Sequence, residues 1–371
     1  MRAWIAAGLL GLSVAAGAQG AAVGESVPPP AGTAVQALAP AAPAATPAAR
    51  RLSTWRARMR LPLTRRHGAA PQALVEYLIE DNRKQGYAQR PRAVEPPADF
   101  RRDLLGALNG LPAPVRRALE NKFAGVYFVT GLGSTGWTES LLDEKGAAVA
   151  GVIVLDYEVL RKLTANAWAT WKENTPFKAE PRWRLEAIIE QTGAHTGGQT
   201  GEQANEDTRR QAIQYILLHE IGHVLAIGTR LHPWSDLAPG EAKGPYPFMD
   251  LSWIVSPGGK YVSRFEAAFG ARPLVVYYLG AQLDGARMQE TYAQLRATSF
   301  VTLYGATNPY DDFAEAFASY VHTRLMGRPW EVRIYRDGQL VSRYGACWEE
   351  ARCAPKRAMI EEVLGIRRGG R

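Results

Sequence analysis

Two histidines four positions apart, His219 and His223, stand with Glu220 beside the first in the stretch YILLHEIGHVLAIG. On an α-helix, residues i and i+4 share a face, with Cβ atoms about 5–6 Å apart. Two imidazoles so placed can converge on one metal ion at about 2.0–2.1 Å each. Glu220, turned about 100° from His219, can reach water beside that ion without becoming a ligand. With six histidines in 371 residues, chance produces this pattern in roughly one chain in a hundred. The competing reading is a core helix whose histidines are satisfied by hydrogen bonds. Among Ile216, Leu217, Leu218, Val224 and Leu225, however, two histidines and a glutamate are costly to bury without partners, which a metal supplies.

A catalytic zinc needs a third protein ligand and one open position. The stretch LYGATNPYDDFAEAFASYVH offers Asp311, Asp312 and Glu315 at the start of a helix whose apolar positions include Phe313, Phe317, Tyr320 and Val321. Asp311 and Glu315 share a face. One could bind the metal while the other accepts the Nδ1 proton of a ligand histidine and fixes its tautomer. The spacing leaves open which does which. Without the upstream histidines, the acids would read as partners of the helix dipole.

HEIGH followed by Y-x6-D-D-F-A-E-A-F resembles the gluzincin metallopeptidases, above all the anthrax lethal factor and Pro-Pro endopeptidase catalytic domain group. The resemblance implies an α+β, zincin-like domain with a small mixed sheet and a helical lower lobe, binding Zn2+ and acting on a peptide or protein substrate. It implies Asp311 as the third ligand, Glu315 behind a histidine, and Tyr304, seven residues before Asp311, as the tyrosine that assists catalysis. The implied reaction is amide hydrolysis, with zinc-activated water, Glu220 as general base and Tyr304 helping to hold the oxyanion. Two departures add expectations. Aspartate is one methylene shorter than the family's glutamate, so its helix must come closer to the metal or Glu315 must bind instead. The long interval from His223 to Asp311 must hold an inserted helical segment at about 229–300, with helices in RFEAAFG and LDGARMQETYAQLRATSF.

These elements sit in a chain whose N-terminus reads as an address. A positive start, an apolar run from Trp4 to Ala16 and a small-x-small site at Ala16-Gly17-Ala18 predict a signal peptide over 1–18, and the run is too short to span a bilayer that needs about 20 residues. Export to the periplasm or beyond predicts that Cys347 and Cys353, the only cysteines, form one disulfide. The formal charge of +8 is concentrated in seven arginines at 50–66, without which it is +1. That distribution argues against a nucleic-acid-binding face. Residues 19–70, Ala/Pro-rich and then Arg-rich, are expected to be a disordered linker, with contact to an anionic membrane or wall surface as the secondary expectation.

The domain is therefore expected over 71–371, beginning with helices in PQALVEYLIEDNRKQ and ADFRRDLLGALNGL. GVYFVT and AGVIVLDYEVL have strand character. GLGSTG between them, with Asp156 about twenty residues on, matches a dinucleotide fingerprint, but WTESLLDEKGAA is too short for the helix that fingerprint needs, so a connection between strands of a mixed sheet is expected. WRLEAIIE reads as a short helix, followed by a Gly/Thr/Gln loop and a long helix capped by Asn205 and stopped by Gly228. GVIVLD is read as an edge strand for pairing with a peptide or as a buried central strand, which would look the same. A hairpin at Asp337-Gly338 and a last helix in PKRAMIEEVLG complete the chain. His67, His195, His232 and His322 are read as structural or surface groups, with His232 placed to line the cleft. The alternative to an enzyme is an envelope protein that binds zinc or a peptide without cleaving it. A cell-wall amidase is weaker, since no wall-binding repeat is present.

Overall fold

The computed structural model of the chain describes residues 46–191, 207–277 and 280–366. The signal-like stretch, most of the Ala/Pro-rich tract, His195 and the loop holding Asn205 lie outside the described residues.

The first departure from expectation is at the N-terminus, where the Arg-rich stretch at 50–66 is folded. Helix α1 (Leu52–Met59) buries Trp55, whose indole N–H donates to the Ala49 carbonyl at 2.8 Å and whose ring packs 5.3 Å from that of Tyr127. The Arg58 guanidinium lies over both rings. Arg66 is buried and donates to the carbonyls of Leu61, Glu120 and Phe123. The linker expectation therefore fails from residue 46 onward. Arg66 and Arg58 engage backbone carbonyls and aromatic faces while Arg51, Arg56, Arg60 and Arg65 stay exposed, a division that composition alone cannot reveal.

Strand β1 (His67–Ala69), helix α2 (Gln72–Lys84), strand β2 (Arg92–Ala93) and helices α3 (Ala98–Asn109) and α4 (Ala113–Leu119) lead into strands β3 (Phe123–Thr130), β4 (Gly136–Leu142) and β5 (Ala148–Asp156). These five strands form one mixed sheet in the order β1-β3-β5-β4, with β2 beside β3. β1, β3 and β5 run parallel, while β4 is antiparallel to β5 and lies at the edge. β3 and β5 are almost wholly buried, as parallel strands covered on both faces must be. Their alternation sorts the core: Val126, Phe128, Ile153 and Leu155 join the main cluster with α3, whereas Tyr127, Val129, Val152 and Val154 face Trp55 and α2.

GLGSTG connects β3 to β4 and precedes a strand rather than a helix. Asp156 accepts from the Leu132 N–H at 2.8 Å and caps the short helix α5 (Tyr157–Leu160), so it staples the connection to the end of β5. GVIVLD lies within the sheet, which selects the central-strand reading over the edge-strand one; β4 stands at the edge. After helix α6 (Ala165–Asn174), WRLEAI forms strand β6 (Trp183–Ile188) instead of a helix. Its alternating burial, with Leu185 and Ala187 inside, carried the strand period.

Helix α7 (Arg209–Ala226) follows and ends at Gly228, whose φ of +70° suits glycine. The 229–300 segment is less helical than expected. It holds a hairpin of β7 (Trp253–Val255) and β8 (Tyr261–Ser263), several single turns and helix α8 (Met288–Arg296), while RFEAAFG forms turns. Helix α9 (Pro309–Tyr320) then packs against α7. Strands β9 (Glu331–Arg336) and β10 (Gln339–Gly345) form the expected hairpin at Asp337-Gly338, both with positive φ, and extend β6 into a three-stranded sheet. The expected disulfide Cys347–Cys353 and final helix α10 (Ala354–Val363) close the chain. Lys356 of α10 forms an ion pair with Asp312 of α9, both fully buried.

α7 and α9 approach closely because Gly222 faces Ala314. A Cβ built on Gly222 would lie 2.8 Å from the Ala314 Cα. Gly222→Ala is therefore expected to push the helices apart, destabilising the fold by about 1–3 kcal/mol. Chemical denaturation checks this prediction, and an unchanged midpoint would refute it.

Candidate metal centre

Helix α7 is buried almost all round, so its polar residues need partners in the interior. His219 and Glu220 are buried and His223 is half-buried. The His219 Nδ1 lies 2.8 Å from Glu315 Oε1, which places a proton on Nδ1 and turns the Nε2 lone pair the other way. That Nε2 is 3.2 Å from His223 Nε2, and Asp311 Oδ1 lies 3.6 Å and 3.4 Å from the two nitrogens. A tetrahedral ion with ligands at about 2.0–2.1 Å has ligand-to-ligand edges of roughly 3.3–3.5 Å. Three acceptor atoms facing one point at such separations fit a divalent cation better than one another. His219, His223 and Asp311 are the group suited to hold a metal among the described residues.

Asp311 reaches this point through its helix start. Asn308 caps α9, its side-chain oxygen accepting from the N–H groups of Tyr310 and Asp311, with Pro309 at the first helical position. Its amide nitrogen donates to Asp311 Oδ2 at 2.5 Å, leaving Oδ1 for the histidines. The close Gly222–Ala314 contact brings α9 near enough to α7 for Asp311 to face the two histidines.

Glu315 is otherwise engaged. Its Oε1 also receives the Lys172 ammonium at 2.6 Å, and Oε2 accepts from the Thr302 hydroxyl at 2.8 Å. Burial opposes its charge, but Lys172 and His219 hold it down at about 2. Burial likewise opposes the charged forms of Asp311 and His219. The nearby imidazoles hold Asp311 well below the usual carboxylate range, and the Asp311 and Glu315 carboxylates lift His219 to about 9. The centre thus carries strong attraction for positive charge. Behind Lys172, burial pushes Glu173 up to about 7, and its carboxylate accepts from the Tyr292 hydroxyl.

Glu220 sits beside the triangle with Oε2 accepting from the Thr138 hydroxyl of β4 at 2.7 Å. Tyr304 is buried with its ring 5.5 Å from that of His219 and the Lys172 ammonium 4.5 Å above it. Glu220, Tyr304 and the three candidate ligands all line one cavity of about 550 Å³, bounded by β4 on one side and by residues 232–236 on another. All six site residues read from the sequence therefore meet, with Glu315 behind His219 rather than at the triangle.

Lys172, Thr302, Asn308 and Thr138 were not read from the sequence. Asn308-Pro309 carries a helix-start signal that could have pointed to Asn308, whereas the other three act only through long-range contacts. Among the remaining histidines, His232 does line the cavity, and His67 lies on β1. His322 is buried, with Nε2 donating to the Ile189 carbonyl at 2.7 Å. Burial lowers it from 6.5 to about 4. A depressed histidine contributes stability that is present above pH 6.5 and lost as the pH falls toward 4, here about 3 kcal/mol. Denaturation midpoints should fall over that window, and His322→Gln should flatten the fall.

Comparison with protein-family models, curated proteins and solved structures finds no match to this chain.

Proposed function

We propose that this chain is an exported, zincin-like zinc metallopeptidase that hydrolyses peptide bonds. The observation carrying the reading is the triangle of His219 Nε2, His223 Nε2 and Asp311 Oδ1 with the Glu220 carboxylate at its side. A zinc ion held there would lower the pKa of a bound water from 15.7 to about 7 and polarise the scissile carbonyl. Three protein ligands leave a position for water or substrate.

Glu220 takes the proton from the attacking water and passes it to the leaving amine. The Thr138 hydroxyl holds the Glu220 carboxylate in place through its 2.7 Å hydrogen bond. Glu315 keeps the His219 proton on Nδ1, so that Nε2 stays a donor of electrons. Tyr304 supplies a hydroxyl for the carbonyl oxygen as charge develops on it. The edge strand β4 is the surface on which an extended peptide can pair.

The test is metal content and removal. The purified chain is expected to hold about one zinc and to cleave denatured casein, to lose cleavage on chelation and to regain it with added zinc. A zinc-loaded chain that cleaves no peptide, or cleavage that survives complete metal removal, would overturn the reading.

A further inference from the structure

The last glycine of GLGSTG lies where the proposed base is seated. Gly131 and Gly133 have φ of +69° and +94°, so the turn between β3 and β4 needs glycine at both. Gly136 has no such need: its φ is not positive, and it is already the first residue of β4. What sets it apart is a neighbour. A Cβ built on Gly136 would lie 2.5 Å from Glu220 Oε1 and 3.0 Å from Glu220 Cδ, with Leu155 Cδ2 next at 3.1 Å. The carboxylate rests against bare backbone, in space that a methyl group would fill.

Neither backbone can retreat. The Gly136 carbonyl accepts from the Ser134 hydroxyl at 2.8 Å, the Asp156 N–H donates to the Thr135 carbonyl at 3.0 Å, and Asp156 Oδ2 holds the Leu132 N–H at 2.8 Å. On the other side α7 is buried almost all round and pressed against α9. The tip of the Glu220 side chain is the part that can move. Its Oε2 accepts from the Thr138 hydroxyl, two residues along β4, and among the described residues nothing donates to Oε1. Ordinary contact begins near 3.4 Å. A methyl group at 136 would thus drive the tip back by roughly 1 Å, a misplacement that costs about 10²-fold in rate.

We propose that Gly136 is a positioning residue for the reaction: by lacking a side chain it lets Glu220 Oε1 stand beside the triangle and take the proton of the attacking water, while Thr138 holds the other oxygen. The proposal rests on the metallopeptidase reading and adds to it the atom that carries the proton. An O–H bond of the water breaks, its electron pair stays with the oxygen that attacks the scissile carbonyl carbon, and the proton sits on Oε1 until the leaving nitrogen takes it. GLGSTG is on this account a seat for a carboxylate, where its spacing suggested a seat for phosphates.

The experiment uses the zinc-loaded full chain with denatured casein, in four forms: unaltered, Gly136→Ala, Glu220→Asp and the double variant. Gly136→Ala is expected to hold about one zinc, since the triangle is untouched, and to lose about 10²-fold in kcat with KM little changed. Glu220→Asp withdraws the carboxylate by one methylene and loses rate by itself, but it leaves room for the methyl group. The two losses should therefore fail to multiply, the effect of Gly136→Ala shrinking at least about tenfold in the Glu220→Asp chain. A glycine needed only for packing would give independent losses, which would overturn the proposal, as would full turnover in Gly136→Ala. If Gly136→Ala does not fold, Glu220→Asp should restore its folding, and failure to do so overturns the proposal equally. If the unaltered chain cleaves nothing, the metallopeptidase reading fails on its own. Crystal structures of the zinc-free unaltered and Gly136→Ala chains then decide the positioning claim, supported by a Glu220 tip displaced by roughly 1 Å over an unmoved β4 and overturned by a strand that gives way instead.

Discussion

Glu220→Gln is expected to keep one zinc per chain and to lower peptide hydrolysis by about 10²–10⁴-fold. The amide matches the carboxylate in shape, and Glu220 is absent from the triangle of candidate ligands, so the cation site is unchanged. Its carbonyl oxygen can still accept from the Thr138 hydroxyl, which bonds Glu220 Oε2. What the variant cannot do is take up a proton. Metal analysis alongside single-turnover hydrolysis separates these effects, and retained turnover would remove Glu220 from the role of base.

The second large effect separates the two acids of α9. Asp311→Ala deletes a corner of the triangle and should abolish stoichiometric zinc binding. Glu315→Gln leaves the triangle intact but loses the charge that orients His219, and is expected to weaken zinc by about 10–100-fold. It also leaves the buried Lys172 ammonium without its carboxylate, a loss of about 3–5 kcal/mol in stability. Competition with a chelator and denaturation together read both. Weaker zinc binding in Glu315→Gln than in Asp311→Ala would exchange their roles.

How legible the site was depended on whether its geometry is local. His219, Glu220 and His223 are placed by one helix, and Asp311 and Glu315 by another, so the i, i+4 period revealed each set. Asp311 and Glu315 could not be told apart by spacing because both lie on one face. What divides them is the tertiary environment: Asn308 turns Asp311 outward, and Lys172 with Thr302 holds Glu315 inward. The strand-like run at 150–156 was legible, but its place in the sheet was not, since a central strand and an edge strand carry the same apolar pattern. WRLEAI failed because six residues suit either period until β9 supplies a partner. The Arg-rich segment failed most fully, since arginines that cap carbonyls and cover aromatic rings have the composition of a solvated arm.

The ion pair between Asp312 and Lys356 joins α9, the helix that carries the candidate ligand Asp311, to α10, both charges wholly out of water. Burying one without the other costs about 3–5 kcal/mol, so α9 is held less firmly while α10 is still missing. A polypeptide interrupted after the β9–β10 hairpin would have every candidate ligand but would lack the Lys356 partner of Asp312. On the zinc-peptidase reading, the candidate ligand Asp311 would therefore be held in place most firmly once α10 has docked on α9.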